Sequence, residues 1–122
     1  MTNQNIINDL FDCVPELKSK FEKSFKQYLI TTEDGIYVIW GLGVMSCVLE
    51  LLNAPSVYSN QLQKIFDFLE TMAQHEDERK DLLMYSTLET LDDHKELLNT
   101  AFSFMGPKTR KLLLDVQSFL GE

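Results

Sequence analysis

Apolar residues recur three and four residues apart along almost the whole chain, which is the spacing of one face of an α-helix. Leu17, Phe21 and Phe25 form one such stripe, with lysines at polar positions between them. Only one short segment has a composition that suits a β-strand. The pattern therefore predicts an all-α protein.

That segment is residues 36–40 (IYVIW), where β-branched and aromatic residues follow one another. No second convincing strand exists elsewhere in the sequence to pair with it, and an unpaired strand leaves its backbone groups unsatisfied. We therefore predict that residues 34–53 form a helix that is apolar on all sides and buried at the centre of the protein. Gly41 and Gly43 are expected to let a neighbouring helix approach closely.

The sequence predicts neither a membrane span nor a signal peptide. Fourteen residues from Ile36 to Leu49 lack a charge, whereas a transmembrane helix needs about 20 predominantly apolar residues. The N-terminus has no basic region followed by an apolar run, which a signal peptide requires. We therefore expect a cytoplasmic protein.

Turn residues divide the rest of the chain into two helices before the central one and four after it. Pro15 suits the first turn of the second helix, and Gly106-Pro107 marks the end of one helix and the start of the next. We predict a single compact domain, residues 1–122, of six to seven helices. They are arranged as antiparallel helix hairpins around the central apolar helix at residues 34–53.

The motifs of common enzyme classes are missing or broken. His75 begins a run like HExxH, but Arg79 stands where the second zinc-binding histidine must be. Cys13 and Cys47 lie among apolar residues, so we predict buried, reduced thiols rather than a nucleophile. The sequence therefore predicts a protein without catalytic residues, metal or cofactor.

One anion site stays open as an alternative, at residues 108–111 (KTRK) near the start of the last predicted helix. A helix N-terminus favours anions, so these residues could hold a phosphate. Three cations on one helical turn are more often a solvated face, and we favour that interpretation.

Negative charge is concentrated in one quarter of the chain. Residues 67–96 contain ten acidic and three basic residues, so this acidic window has a net charge of −7 out of −8 for the whole chain. Such a field repels nucleic acid and attracts a basic partner.

Two interpretations of the acidic window are about equally supported. Some of its acids serve the fold, since Asp77, Asp92 and Asp93 stand where first-turn acids stabilise helices. The charge imbalance exceeds what helix capping requires, however, and this favours a surface that binds a protein, with an exposed aromatic as its anchor. The candidate partner-binding residues are Asp67, Glu70, Asp77, Glu78, Asp81, Tyr85, Asp92, Asp93 and Glu96.

The order of these segments resembles a group of small acidic all-helical bacterial proteins. They are the presumed immunity proteins of polymorphic toxin and contact-dependent inhibition systems. The resemblance covers residues 16–117. It begins with a charged N-terminal helix and continues through the segments "GIYVIWGLGVMSCVLELL", "LQKIFDFLETMAQHEDERKDLLMYSTLETL" and "FMGPKTRKLLLDV". Relatives often have a Gly-Asp step in the long helix, whereas this chain has no acid around Gly41 and Gly43.

The resemblance implies a protein that binds one cognate toxin and blocks its active site or substrate path, with no catalytic residues of its own. A basic nuclease domain is the expected partner, because nucleases bind phosphate backbones in basic clefts. The rival hypothesis is a non-catalytic adaptor or structural domain whose acidic face serves solubility only. An enzyme with an unrecognised site is the third and least favoured hypothesis.

Overall fold

The computed structural model describes residues 3–31 and 33–121, with side chains from residue 6 onward. These residues form seven helices and no strand, in a single compact domain, which confirms the all-α prediction. In chain order the helices are α1 (Asn3–Cys13), α2 (Leu17–Gln27), α3 (36–52), α4 (Ser59–Ala73), α5 (78–93), α6 (Lys95–Phe104) and α7 (Pro107–Phe119).

Helices α3 and α5 each contain a π-helical segment between two α-helical parts. The π segment of α3 is Ile39–Val44, and that of α5 is Leu83–Leu88. In both segments a backbone N–H bonds five residues back instead of four, as from Met45 to Trp40. Such wide turns shift the direction of the side chains that follow, and they are frequent at functional sites.

The two π segments pack against each other in the core. Trp40 is fully buried, and its indole Nε1–H donates to the Thr87 hydroxyl at 2.8 Å. A Cβ placed on Gly41 would lie 3.7 Å from Ser86 Oγ, which is an ordinary van der Waals distance. The two helices therefore meet at this level, and α3 is fixed relative to α5.

Helix α2 runs antiparallel to α3 on the other side. Ser24 bonds to Ser46 at 2.9 Å, and one turn earlier in α2 Lys20 pairs with Glu50 at 2.9 Å. A Cβ on Gly43 would lie 2.7 Å from the Phe21 ring, closer than packed atoms approach. The prediction that Gly43 permits a close helix contact is therefore confirmed.

The expectation that α3 is apolar and buried on all sides is wrong for its first two turns. Trp40 is fully buried, but Tyr37, Val38 and Leu42 are each more than two-fifths exposed. Helices α2 and α5 cover two sides of α3 and leave a third side open to solvent. Cys13, expected to be buried, is also exposed, whereas Cys47 is buried.

No helix in residues 3–31 and 33–121 is long and apolar enough to cross a membrane.

Candidate partner-binding surface

Glu70, one of the predicted partner-binding acids, forms hydrogen bonds within the protein. Its carboxylate accepts hydrogen bonds from the Thr109 N–H at 2.9 Å, the Thr109 hydroxyl at 2.8 Å and the Lys108 N–H at 3.1 Å. Burial would raise the pKa of Glu70, but these bonds outweigh it and hold the pKa below its ordinary value. Glu70 thus caps the N-terminus of α7 from a different helix.

This cap also bears on the phosphate alternative at residues 108–111. The backbone N–H groups of Lys108 and Thr109, which an anion at the start of α7 would use, already donate to Glu70. The anion at this helix N-terminus is therefore a carboxylate of the protein itself.

Asp77 has the capping role that the sequence predicts. It is the N-cap of α5, and its side chain accepts the Arg79 backbone N–H at 2.9 Å. The Arg79 guanidinium also binds the carboxylate. The pKa of Asp77 therefore lies far below its ordinary value, mainly because of the hydrogen bonds from Arg79.

Asp92 is buried, so its assignment to an exposed binding surface is wrong. The residue is 2% exposed and accepts hydrogen bonds from Lys95 Nζ at 2.8 Å and from Gln117 Nε2 at 3.0 Å. The expected first-turn role of Asp92 and Asp93 is also wrong, because both lie in the last turn of α5. Asp92 instead ties the end of α5 to α7 through Gln117.

Three other predicted acids are exposed but do not lie on one helical face. Asp67 is on α4 and accepts a hydrogen bond from Gln63 at 2.8 Å. Asp93 ends α5, and Glu96 lies in the first turn of α6. The acidic window is therefore divided among three helices.

Glu78, Asp81 and Tyr85 lie together on the exposed side of α5. Their spacing of three and four residues places them on one helical face, and all three are exposed. This is the part of the predicted site that the structure brings together.

Tyr37, which the sequence-based prediction omitted, reaches this face from α3. Burial raises the pKa of Tyr37, and the nearby Asp81 carboxylate and Tyr85 raise it further. Tyr37 and Tyr85 are each 47% exposed. We refer to Tyr37, Glu78, Asp81 and Tyr85 as the Tyr37–Tyr85 face.

Exposed apolar side chains continue from this face across α3 toward α2. Val38 follows Tyr37 directly, and Leu42 lies one turn further along α3. Ser24 of α2 bonds to Ser46 of α3. In these antiparallel helices, Tyr28 lies one turn after Ser24 and Leu42 one turn before Ser46, and both are exposed. The Tyr37–Tyr85 face therefore joins an apolar strip, a composition that protein interfaces share.

Cys47 and His94, which have potential catalytic or metal-binding groups, each contact a backbone carbonyl of the protein. Burial raises the pKa of the Cys47 thiol, which disfavours the reactive thiolate. His94, which lies between α5 and α6, has its Nδ1 2.9 Å from the Thr90 carbonyl of α5. The described residues contain no group of three or more His, Cys, Asp or Glu arranged to hold a metal ion.

Comparisons with known proteins identify the family and nothing more specific. Curated protein sequences gave no significant match, and neither did solved structures. A family model described as "Domain of unknown function (DUF7674)" matches residues 7–121. Because this match extends from α1 to the end of α7, the protein belongs to the DUF7674 domain family.

Proposed function

We propose that this protein binds a basic protein partner through the Tyr37–Tyr85 face and has no catalytic activity of its own. In the specific form suggested by the sequence resemblance, the partner is a bacterial toxin domain, and binding neutralises it in the cytoplasm. A nuclease fits this role because its basic cleft binds phosphates, which an acidic surface can mimic.

The observation that supports this proposal is the exposure of Asp81 with Tyr37 and Tyr85. Glu70, Asp77 and Asp92 make hydrogen bonds that stabilise helix ends, which accounts for part of the acidic window. Among the described residues, by contrast, Asp81 has no hydrogen bond or ion pair through its side chain. An exposed carboxylate flanked by two half-exposed aromatic rings stabilises the fold little but suits a protein interface.

A protection assay tests the proposal directly. The genes adjacent to the one encoding this protein are first searched for a toxin domain, and that domain is co-expressed with wild type or with the double variant Glu78→Lys/Asp81→Lys. We expect the wild type to restore growth and the double variant to fail, because the reversal places cations opposite a basic surface. A binding titration at two salt concentrations should show slower association for the variant and a weaker salt dependence.

The matched control is Asp12→Lys/Glu22→Lys. It changes the net charge by the same amount at two exposed acids on α1 and α2. We expect this control to protect as well as the wild type does. Equal protection and equal salt dependence in all three proteins would contradict the role of the Tyr37–Tyr85 face. A wild type that gives no protection would instead favour the rival function, an adaptor or structural domain whose acids serve solubility.

A further inference from the structure

We infer that Tyr37, Asp81 and Tyr85 form a subsite for a single lysine or arginine side chain of the protein partner. The inference rests on the proposed function and deepens it, because it assigns one cationic group to three named residues from two helices.

Core packing fixes the relative positions of the three residues. Trp40 bonds to Thr87, and Gly41 lies against Ser86, so α3 and α5 meet at that level. Tyr37 precedes Gly41 by four residues, one turn along α3. Asp81 precedes Ser86 by about one turn, and Tyr85 is the neighbour of Ser86. The buried contact thus holds together the two helices that carry the exposed trio.

The chemistry of the trio suits a cation. Aromatic faces attract ammonium and guanidinium groups, and a carboxylate supplies the opposite charge. Within the described part of the chain, the Asp81 side chain pairs with no cation. Val38, exposed beside Tyr37, offers apolar surface for the methylene stem of a bound lysine or arginine.

Elsewhere in the same protein, a lysine contacts both a tyrosine ring and a carboxylate. Lys20 Nζ lies 5.5 Å from the centroid of the Tyr58 ring and 2.9 Å from the Glu50 carboxylate. The trio presents the same two components, tyrosine rings and a carboxylate, on a surface open to solvent. Charge complementarity therefore selects a basic side chain over an acidic or purely apolar one.

The test uses three synthetic peptides and the full chain. Hexaarginine, hexalysine and the uncharged hexacitrulline are titrated into ¹⁵N-labelled protein, and affinity and amide shifts are measured by NMR. We expect both cationic peptides to bind and to shift the amides of residues 37, 81 and 85, while hexacitrulline does not bind. Stronger binding of hexaarginine would assign the subsite to arginine, and stronger binding of hexalysine would assign it to lysine.

Matched substitutions locate the site. Tyr37→Leu and Tyr85→Leu keep apolar bulk but remove the ring, and each should weaken peptide binding about threefold or more. Asp81→Asn should weaken it at least as much. Phe119→Leu and Glu22→Gln change an exposed aromatic residue on α7 and an exposed acid on α2, and both should bind as the wild type does. Circular dichroism checks that every variant folds.

The outcomes separate this inference from the proposed function. If Asp81→Asn weakens binding but both tyrosine variants bind like the wild type, the subsite is overturned while the acidic face stands. Equal losses in Phe119→Leu and Tyr85→Leu also overturn it, because binding is then not local to the trio. Failure of both cationic peptides to bind overturns it as well, and the protection assay then decides the proposed function independently.

Discussion

The indole N–H of Trp40 donates a 2.8 Å hydrogen bond to the hydroxyl of Thr87, and both residues are fully buried. This bond joins the π segments of α3 and α5, 47 residues apart in sequence. Tryptophan brings large apolar area into a core, but its N–H needs a partner there. The Trp40–Thr87 pair therefore positions the two helices that together present the Tyr37–Tyr85 face.

Replacing Thr87 with valine should destabilise the protein by about 1–3 kcal/mol. Valine is similar in shape to threonine but removes the acceptor, so the indole N–H is left buried without a partner. Urea denaturation followed by Trp40 fluorescence gives the free energy of unfolding. We also expect native Trp40 emission to be blue-shifted, and to move to the red on unfolding.

Thr71→Val is the control for this substitution. Thr71 is exposed, and its hydroxyl donates only to the Phe68 carbonyl of its own helix. Its replacement should change the free energy of unfolding by less than about 0.5 kcal/mol. If the free energy of unfolding falls equally in the two valine variants, the buried hydrogen bond contributes no more to stability than the exposed one.

The Glu70 cap predicts a specific loss of stability in acid. The pKa of Glu70 is lowered in the folded state, so its contribution is fully present above the unfolded-state pKa of about 4.3. It is lost as the pH falls through the lower folded-state value. Glu70→Gln should be less stable than the wild type by about 0.5–2 kcal/mol at neutral pH.

The difference between Glu70→Gln and the wild type should shrink toward zero as the pH falls below about 4. Thermal unfolding at a series of pH values measures this convergence. Glu22→Gln, at an exposed position on α2, is the control and should follow the wild type throughout. A gap that stays constant from neutral to acid pH would show that the charge on Glu70 does not stabilise α7.

Gly106 and Glu70 should be energetically coupled. A Cβ on Gly106 would lie 2.6 Å from the Glu70 carboxylate, so alanine there must displace the cap. We expect Gly106→Ala to cost about 1 kcal/mol in the wild type and much less in a Glu70→Ala background. Gly35→Ala, where a Cβ meets nothing within 4 Å, provides the comparison. Additive losses in the double variant would contradict the coupling.

The helices were predictable because their signals are local. The stripe Leu62, Ile65, Phe66 and Leu69 repeats at helical spacing, and all four side chains are buried in α4. Residues 36–40 were correctly assigned to a helix despite their strand-like composition, since a strand would have had no partner. The β-propensity of these residues favoured a strand, whereas the need to pair backbone N–H and C=O groups favoured the helix that is observed.

The roles of the acids were not predictable because they depend on contacts between distant residues. Glu70 bonds to Thr109, 39 positions away, and Asp92 bonds to Gln117, 25 positions away. In sequence, both look like any other acid on a polar helical face. Tyr37 was missed for the opposite reason, since a helix apolar on all sides gives no sign of which side remains open.

Asp92 and Asp93 are adjacent in sequence but should differ strongly in their effect on stability. Asp92→Asn keeps one oxygen for Lys95 and Gln117 but removes the buried carboxylate charge that strengthens both hydrogen bonds, and should cost about 1–3 kcal/mol. Asp93→Asn, at an exposed position, should cost less than about 0.5 kcal/mol. Chemical denaturation of the two variants under identical conditions measures both. If they prove equally stable, Asp92 does not support the contact between α5 and α7.

Leu29 should be replaceable by glycine with a gain in stability. It follows α2 with φ of 55°, in the left-handed region, and its side chain is 85% exposed. Two hydrogen bonds hold this turn, from the Ile30 N–H to the Phe25 carbonyl at 2.9 Å and from the Leu29 N–H to the Lys26 carbonyl at 3.3 Å. They form a Schellman motif, in which glycine is the usual residue at the position of Leu29.

An L-residue in the left-handed region costs about 1–2 kcal/mol, and glycine avoids this cost but adds about 0.5–1 kcal/mol of unfolded-state entropy. Leu29→Gly should therefore stabilise the protein by about 0.5–1 kcal/mol, measured as a rise in Tm or in the urea midpoint. Leu29→Ala separates backbone strain from side-chain exposure, because alanine keeps the strain and removes the exposed apolar group. Its stability should match that of the wild type. If alanine stabilises the protein as much as glycine does, the exposed side chain rather than the backbone conformation is the source of the gain.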